Sequence, residues 1–290
     1  MSLADPAVAC GGCAPSALRV AQARAVHQLL DEPLVFPDPL ALAVLGEVAA
    51  QSLRDDPYAL NDPASRAMRA GIVARSRFAE DALARAVARG TRQYVVLGAG
   101  LDTFSLRNPY GAALRVFEAD QPAMLACKRS RLAALPAPAP APPSFVALDL
   151  SHDTLLPRLA TAGLDLARPA FVSALGVLPY LEIGVVHRLL SQLTTLPAGS
   201  GVAFDYRVQP ELLDPLERAM QAFSARAFAA QGEPWLSDFV PDELQRVLRD
   251  TGWREVEDVG PQELNQRYFH RRRDGLQTAG GGFRFACAWR

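Results

Sequence analysis

A short apolar run that stops at two closely spaced glycines constrains the fold of this chain most. Residues 94–97 (Tyr-Val-Val-Leu) are followed by Gly98-Ala99-Gly100, a pattern typical of a buried parallel strand that turns into a helix. Glycines at such a turn allow backbone N–H groups to approach a ligand closely. A dinucleotide fingerprint would have a third glycine at position 103, where this sequence has Thr103. The loop therefore favours a nucleoside ligand without phosphates over a nicotinamide cofactor.

Similar apolar runs recur at intervals that predict an α/β fold. Strands are expected at 94–97, 115–119, 145–148, 170–175, 202–206, 253–259 and 283–289. Helices are expected between and after them at 121–135, 154–162, 182–196, 210–231 and 242–250. This alternation predicts βαβ units in a seven-stranded, mostly parallel sheet of Rossmann-like type. A late pairing of the last two strands is more typical of class I methyltransferases than of dehydrogenases.

The region before the first strand is expected to be helical. Ser16 is placed to cap a helix to residue 30, and a second helix is expected from 38 or 39 to 50. Asn61-Asp62-Pro63 predicts the start of a third helix that ends at Gly90. We expect a flexible leader over 1–15, a helical lid over 16–90 and a methyltransferase core over 91–290.

Charge and cysteine usage limit the partners of the chain. The 290 residues carry a net charge of -1, so neither nucleic acid nor an anionic membrane is expected as a partner. The sequence has neither a secretory signal nor an apolar run of ~20 residues, so a cytoplasmic, reduced protein is expected. Cys10 and Cys13 fall in the leader, whereas Cys127 and Cys287 stand alone. No metal site is expected, because further ligands at metal-binding spacing are missing.

Carboxylates follow the next two expected strands at positions that suit a nucleoside. Glu118 and Asp120 come about twenty residues after the glycines, where an acid accepts hydrogen bonds from both ribose hydroxyls. Asp149 ends the third strand and is placed either to accept an adenine amino hydrogen or to cap the next helix.

Taken together, these motifs resemble the leucine carboxyl methyltransferase-like family, which includes protein phosphatase methyltransferases and many bacterial small-molecule O-methyltransferases. The resemblance extends from about residue 16 to the C-terminus and rests on segments 38–41, 74–78, 97–103, 117–122, 149–150, 232–235, 263–265 and 267–269. It implies S-adenosylmethionine as the cofactor. Its implied binding residues are Arg75 for the carboxylate, Gly98 and Gly100 for the methionine and ribose portion, Asp120 for the ribose, and Asp149 with Leu150 for the adenine.

One position departs from the family pattern. The segment 174–181 reads Ala-Leu-Gly-Val-Leu-Pro-Tyr-Leu, where the family often has Ala-Glu-Gly-Leu-Leu-x-Tyr-Leu. Leu175 stands at the acidic position, so any polar contact of that acid is lost or supplied elsewhere. Tyr180 is a candidate for the substrate pocket, with a packed strand-end tyrosine as the equal alternative.

The acceptor is expected to be a small molecule with a carboxylate or a hydroxyl, which makes the chain an O-methyltransferase. A carboxylate is already ionised, whereas a hydroxyl needs a general base. The four histidines are poor candidates for that base, since His27 and His187 fall in helices, His152 follows the adenine-side acid and His270 lies in a basic run. The sequence leaves two alternatives open: an NAD-dependent oxidoreductase and a catalytically inactive cofactor-binding interaction protein.

Overall fold

The computed structural model describes residues 12–135 and 142–290. Seven strands form one sheet in the order β3-β2-β1-β4-β5-β7-β6. Their bounds are β1 Gln93–Leu97, β2 Arg115–Asp120, β3 Ser144–Ala147, β4 Phe171–Ala174, β5 Gly201–Arg207, β6 Glu255–Val259 and β7 Phe283–Trp289. Strands β1 to β5 pair in parallel, and β7 lies antiparallel between β5 and β6. The expected Rossmann-like methyltransferase architecture is confirmed.

Helices pack on both faces of this sheet, and three of them precede its first strand in the chain. They are α1 Pro15–Leu30, α2 Glu47–Asp55, α3 Pro63–Ala88, α4 Phe104–Arg107, α5 Pro122–Ala133, α6 Leu155–Thr161, α7 Ile183–Leu193, α8 Pro215–Ala229, α9 Pro241–Asp250 and α10 Pro261–Tyr268. Within the described ranges, no helix is both long and apolar enough to cross a membrane.

The sheet separates two apolar clusters. Alternate residues of β1 point to opposite faces, so that Val95 and Leu97 join one cluster while Tyr94 and Val96 join the other. All five residues of β1 are buried, as expected for a central parallel strand. The strand order reverses between β1 and β4, and in open α/β sheets a ligand crevice forms at the carboxyl ends of the strands at such a point.

The N-terminal helices differ in part from their expected bounds. Asp62 caps α3 by accepting the N–H groups of Ala64 and Ser65 at 3.1 and 3.2 Å, which confirms that start. The single helix expected from 38 or 39 to 50 is wrong: a 3-10 turn over Ala43–Leu45 precedes α2, which begins after Gly46. Gly46 has a φ of 82°, which breaks the helical path between the two pieces.

The cap expected at Ser16 is also wrong, because α1 already begins at Pro15 and the Ser16 hydroxyl bonds elsewhere. Two short helices, α4 and α10, were not expected from the apolar pattern. Both follow loops and contain too few turns to show a period of 3.6 residues.

The cysteines are arranged differently from the expectation of free thiols. Cys13, just before α1, forms a disulfide with Cys127 of α5, with their Cα atoms 5.4 Å apart. The pair is 114 residues apart in sequence, so only the packing of α1 over α5 brings it together. Cys287 is a free, buried thiol. Cys10 with the rest of 1–11, and residues 136–141 of the proline-alanine connection, lie outside the described residues.

Candidate active site

The glycine loop contacts Asp120, the acid at the end of β2. Parallel pairing places Leu97 opposite Ala119, so the residues that follow each strand lie side by side. The Gly100 N–H donates to Asp120 Oδ2 at 2.7 Å, and Asp120 Oδ1 accepts the Gln121 N–H at 2.7 Å. Burial raises the pKa of the Asp120 carboxyl, although these two N–H groups act against it. The half-buried carboxylate is therefore fixed beside the loop.

The backbone of the loop explains why glycines occur here. Gly98 and Gly100 have φ values of 60° and 45°, in the left-handed region that other residues avoid. A Cβ atom on Gly98 would overlap a methyl group of Val177. The first glycine is thus required by both conformation and space.

The second acid of β2 has a structural role. Glu118 is fully buried, and its Oε2 lies 2.6 Å from Lys128 Nζ of α5. Lys128 Nζ also approaches the Ala99 carbonyl oxygen at 3.5 Å. Burial raises the pKa of Glu118, although the Lys128 charge lowers it. This ion pair lies beneath the glycine loop, which leaves Asp120 as the accessible acid.

Residues after β3 lie next to Asp120. The Leu148 N–H donates to the Asp120 carbonyl oxygen at 3.0 Å, so Asp149 and Leu150 follow directly at the same edge. Asp149 Oδ1 accepts the Ser151 N–H at 2.9 Å, and both Asp149 and Leu150 are half-buried. The two residues proposed for the adenine are therefore adjacent to the one proposed for the ribose.

Arg75 reaches the same edge from α3. Its Nη1 donates to Asp205 Oδ2 of β5 at 3.0 Å, and a Cβ on Gly176 would lie 3.0 Å from either Nη atom. Among the described residues, its second Nη and its Nε have no hydrogen-bond acceptor. A guanidinium with donors to spare suits a ligand carboxylate, so the residues present fit the methionine end of S-adenosylmethionine.

Asp205 is a site residue that the sequence reading missed. Its Oδ1 accepts the Gly176 N–H at 2.5 Å while its Oδ2 binds Arg75. Leu175, at the position where the family often has an acid, packs against the apolar cluster of the α3 face. An aspartate inside the expected apolar strand 202–206 was the available signal, because a buried carboxylate requires partners.

Tyr180 lies under an aromatic cover contributed by α8 and the segment after it. Its ring centroid is 6.3 Å from that of Phe228, which is 5.0 Å from that of Trp235. The Arg207 guanidinium carbon lies 4.7 Å from the Trp235 ring centroid. We call Tyr180, Phe228, Trp235 and Arg207 the acceptor cluster. Burial raises the pKa of Tyr180. The negative charge of Glu233 also raises it, whereas the positive charge of Arg75 lowers it.

The start of α1 closes over the glycine loop and the acceptor cluster. The Ser16 N–H and hydroxyl donate to Glu233 Oε2 and Oε1 at 2.9 and 2.6 Å. A Cβ on Gly100 would lie 3.4 Å from Ala17 Cβ. Residues at the start of the expected lid therefore contact the loop directly.

A buried ion network holds the middle of α1 against the end of the loop. Arg24 donates to Asp102 Oδ2 at 2.9 Å and to Asp38 Oδ2 at 2.6 Å. Thr103, at the position of the missing third glycine, is fully buried and also accepts from Arg24 at 3.0 Å. Burial alone would raise the pKa of Asp102, but the charges of Arg24, Arg107 and Lys128 lower it to about 2.

His27 is held by contacts of its own, away from the glycine loop. His27 is fully buried, with Nδ1 2.7 Å from Asp31 Oδ2. Its Nε2 accepts the N–H groups of Val35 and Phe36 at 3.1 and 3.2 Å, so the proton lies on Nδ1. His152 and His270 are exposed. Within the described ranges, no group of three or more His, Cys, Asp or Glu side chains is placed to hold a metal ion.

Comparisons with known proteins show which family this chain belongs to. The leucine carboxyl methyltransferase family model matches residues 17–194. A Bacillus subtilis (strain 168) protein named "Putative S-adenosyl-L-methionine-dependent methyltransferase YktD" is 31% identical over 208 residues, which are 71% of this chain and 68% of that protein. A Mycobacterium avium (strain 104) protein with the same descriptive name is 42% identical over 127 residues, or 44% of this chain and 41% of that protein. The match thus spans about two fifths of this second relative.

Two solved structures share the fold. A Thermobifida fusca YX protein superimposes with a TM-score of 0.53 at 21% identity, covering 89% of this chain and 96% of that one. A DUF574 family protein from Streptomyces avermitilis also gives 0.53, at 18% identity, covering 96% and 98% of the two chains. At these identities the similarity concerns the fold alone.

The sheet order, the glycine loop beside Asp120 and the named relatives together define the class, that of the S-adenosylmethionine-dependent methyltransferases. Within that class, the chain belongs to the leucine carboxyl methyltransferase family. S-adenosylmethionine is its methyl donor. Family membership decides against the NAD-dependent oxidoreductase, the first alternative left open by the sequence.

Proposed function

We propose that this chain transfers a methyl group from S-adenosylmethionine to a carboxylate oxygen of a small-molecule acid. The observation that carries the proposal is that neither Tyr180 nor Glu233, the two titratable groups beside the expected acceptor position, is free to act as a base. Burial keeps the Tyr180 phenol protonated by raising its pKa. Both oxygens of Glu233 already accept hydrogen bonds from Ser16. A carboxylic acid with a pKa near 4 is ionised at neutral pH and needs no base.

The residues of the chain supply position and shielding. Arg75, held by Asp205, would bind the donor's carboxylate, while Asp120 would accept hydrogen bonds from its ribose hydroxyls. When bound, S-adenosylmethionine supplies a sulfonium methyl group, which passes to the acceptor oxygen as the C–S bond electrons return to sulfur. The aromatic rings of the acceptor cluster would exclude water from the ionised acceptor, which favours displacement at carbon. The products are a methyl ester and S-adenosylhomocysteine.

A small-molecule acceptor fits the enclosed cover better than a protein chain does. The Ser16–Glu233 contact joins α1 to the segment after α8 above Tyr180. A polypeptide substrate would need this contact to open. The apolar Leu175 at the family's acidic position also separates this chain from the phosphatase-modifying pattern.

A methyl-transfer screen with radiolabelled S-adenosylmethionine tests the proposal. Carboxylic acids and phenols of matched size would be offered, and products treated at high pH. Methyl esters then release volatile methanol, whereas aryl methyl ethers do not. We expect base-labile product and a rate on acids that stays nearly flat from pH 6 to 9.

Tyr180→Phe provides the matched variant, because it removes only the hydroxyl. It should retain transfer to acids. Base-stable products, or loss of transfer in this variant with cofactor binding intact, would favour a hydroxyl acceptor. Cofactor binding without transfer to any acid or phenol would leave the catalytically inactive binding protein as the better account.

A further inference from the structure

Arg207, the last residue of β5, is a buried cation with weak partners. Only 7% of its surface is exposed. Its contacts are long: Nη1 to the Ser237 carbonyl oxygen at 3.5 Å, Nη2 to Gln221 Oε1 at 3.4 Å, and Nη2 to Asp238 Oδ2 at 3.7 Å. Its Nε has no hydrogen-bond partner among the described residues.

Arg69 shows how a purely structural buried arginine is satisfied in the same fold. Its Nε and Nη2 donate to Asp31 at 2.8 and 3.0 Å. Its Nη1 donates to the Leu60 carbonyl oxygen at 3.1 Å, and Nη2 also donates to Asn61 at 2.9 Å. Every nitrogen of Arg69 has a short partner, whereas no nitrogen of Arg207 has one.

The unsatisfied guanidinium lies on the acceptor side of the site. Arg207 follows Asp205 by two residues, so both side chains leave the same face of β5, about 7 Å apart along the strand. Asp205 holds Arg75, and Arg207 lies two residues closer to the carboxyl end of β5. The Arg207 guanidinium covers the Trp235 ring at 4.7 Å, and the rings of Trp235 and Phe228 connect it to Tyr180.

Burial of the Arg207 cation without close partners costs free energy, and a bound anion would offset that cost. Burial lowers the pKa of Arg207, and the nearby Asp238 charge offsets this only in part. Arginine remains protonated at neutral pH all the same. A carboxylate placed here would complete the fork of N–H donors with charge-assisted hydrogen bonds.

We propose that Arg207 binds a carboxylate of the acceptor that is not itself methylated, so that the acceptor is a dicarboxylic acid. This inference rests on the proposed function. A carboxylate paired with arginine is a weaker nucleophile, because the guanidinium draws charge from its oxygens. The group at Arg207 is therefore a recognition group, and the second carboxylate accepts the methyl group. Methylation yields the monoester, with the carboxylate at Arg207 unchanged.

The experiment compares diacids with their monoamides. The full chain would be assayed for methyl transfer to succinate, adipate, sebacate and the benzenedicarboxylates, each against the corresponding monoamide. The wild type should prefer at least one diacid over its monoamide by about tenfold or more in kcat/KM. Arg207→Gln should reduce that ratio to near one, mainly through KM, and Arg207→Lys should restore part of it.

Two further measurements distinguish ligand binding by Arg207 from a purely structural role in holding the segment 235–239. Arg226→Gln makes the same charge change at an exposed position of α8 and should keep the preference. The affinity for S-adenosylhomocysteine and the melting temperature should be unchanged in Arg207→Gln.

Each failure has a separate meaning. If acids are methylated but the diacid preference is absent, or survives in Arg207→Gln, the inference is overturned while the proposed function stands. If no acid is methylated although S-adenosylhomocysteine binds, the proposed function fails, and this inference fails with it. A fall in melting temperature together with lost cofactor affinity would show that the role of Arg207 is purely structural.

Discussion

Arg75 of α3 and Asp205 of β5 are 130 residues apart in sequence, yet Nη1 of the first lies 3.0 Å from Oδ2 of the second. The same aspartate accepts the Gly176 N–H through Oδ1. Asp205 therefore joins the expected lid to the end of β4 and supplies a carboxylate that Leu175 cannot. The ion pair uses Nη1 of Arg75 and leaves the other N–H donors of the guanidinium for a ligand.

Replacing Asp205 with Asn should weaken S-adenosylmethionine binding about five- to tenfold. The change removes a charge-assisted hydrogen bond worth roughly 1–1.5 kcal/mol and leaves Arg75 less well oriented. Isothermal titration calorimetry measures the effect. Asp242→Asn, an equal charge change at an exposed position of α9, should bind as the wild type does. Unchanged affinity in Asp205→Asn would remove Asp205 from the positioning of Arg75.

Asp120→Ala should lower the affinity for S-adenosylmethionine by roughly 1.5–3 kcal/mol, the range for hydrogen bonds to a charged group. The carboxylate is already aligned by the Gly100 N–H at 2.7 Å, so little reorganisation is needed on binding. Calorimetry on the folded variant measures the loss. If Asp120→Ala kept the affinity of the wild type, the ribose contact would have to be assigned to another residue.

Gly98→Ala should destabilise the loop and abolish measurable cofactor binding. The alanine would sit at a φ of 60° with its Cβ overlapping a Val177 methyl group. The left-handed backbone alone costs roughly 1–2 kcal/mol. The double variant Gly98→Ala with Val177→Ala should recover part of the melting temperature. Equal melting temperatures for the single and double variants would show that the overlap with Val177 is unimportant.

Residues 16–90 should act as a lid that closes on the bound cofactor. Arg75 lies in this region, and Ser16 joins its start to Glu233. Hydrogen exchange with and without S-adenosylmethionine should therefore show added protection over 16–90 as well as over 98–120. Glu233→Gln should reduce the protection at the start of α1. Protection confined to 98–120 would argue against a lid.

The fold should lose stability through Asp102 as the pH falls from about 4 toward 2. The folded-state pKa of this carboxyl is lowered from 3.8 to about 2, because Arg24, Arg107 and Lys128 outweigh the effect of burial. Its contribution, about 2 kcal/mol, is therefore present above pH ~4 and disappears as the pH falls toward 2. About half should be lost by pH 3. Denaturant unfolding at pH 7 and pH 3 should show a smaller drop for Asp102→Asn than for wild type; equal drops would contradict the assignment.

Local patterns were sufficient to predict the central part of the site. The apolar run before Gly98 predicted a buried strand, and parallel pairing then requires the next strand to end beside it. Asp120 therefore meets Gly100 as a consequence of register. The Asp62 cap and the end of α3 are likewise local, since both depend on residues within one turn of the helix.

Other features depend on packing that no local pattern encodes. Ser16 was expected to cap α1, yet its hydroxyl binds Glu233, 217 residues away. A hydroxyl takes the nearest acceptor in space, and that acceptor is set by how α1 packs. The Cys13–Cys127 disulfide has the same origin.

The sequence by itself determined the α/β sheet, the glycine loop and the acid beside it, because these follow from periodicity and from the register of neighbouring strands. Only the tertiary structure decided that Asp205 would hold Arg75 and that Arg207 would remain short of partners. The physical reason is that a buried charge is defined by the groups that surround it. Those groups come from α3, α8 and the strand ends, which meet only when the whole chain is folded.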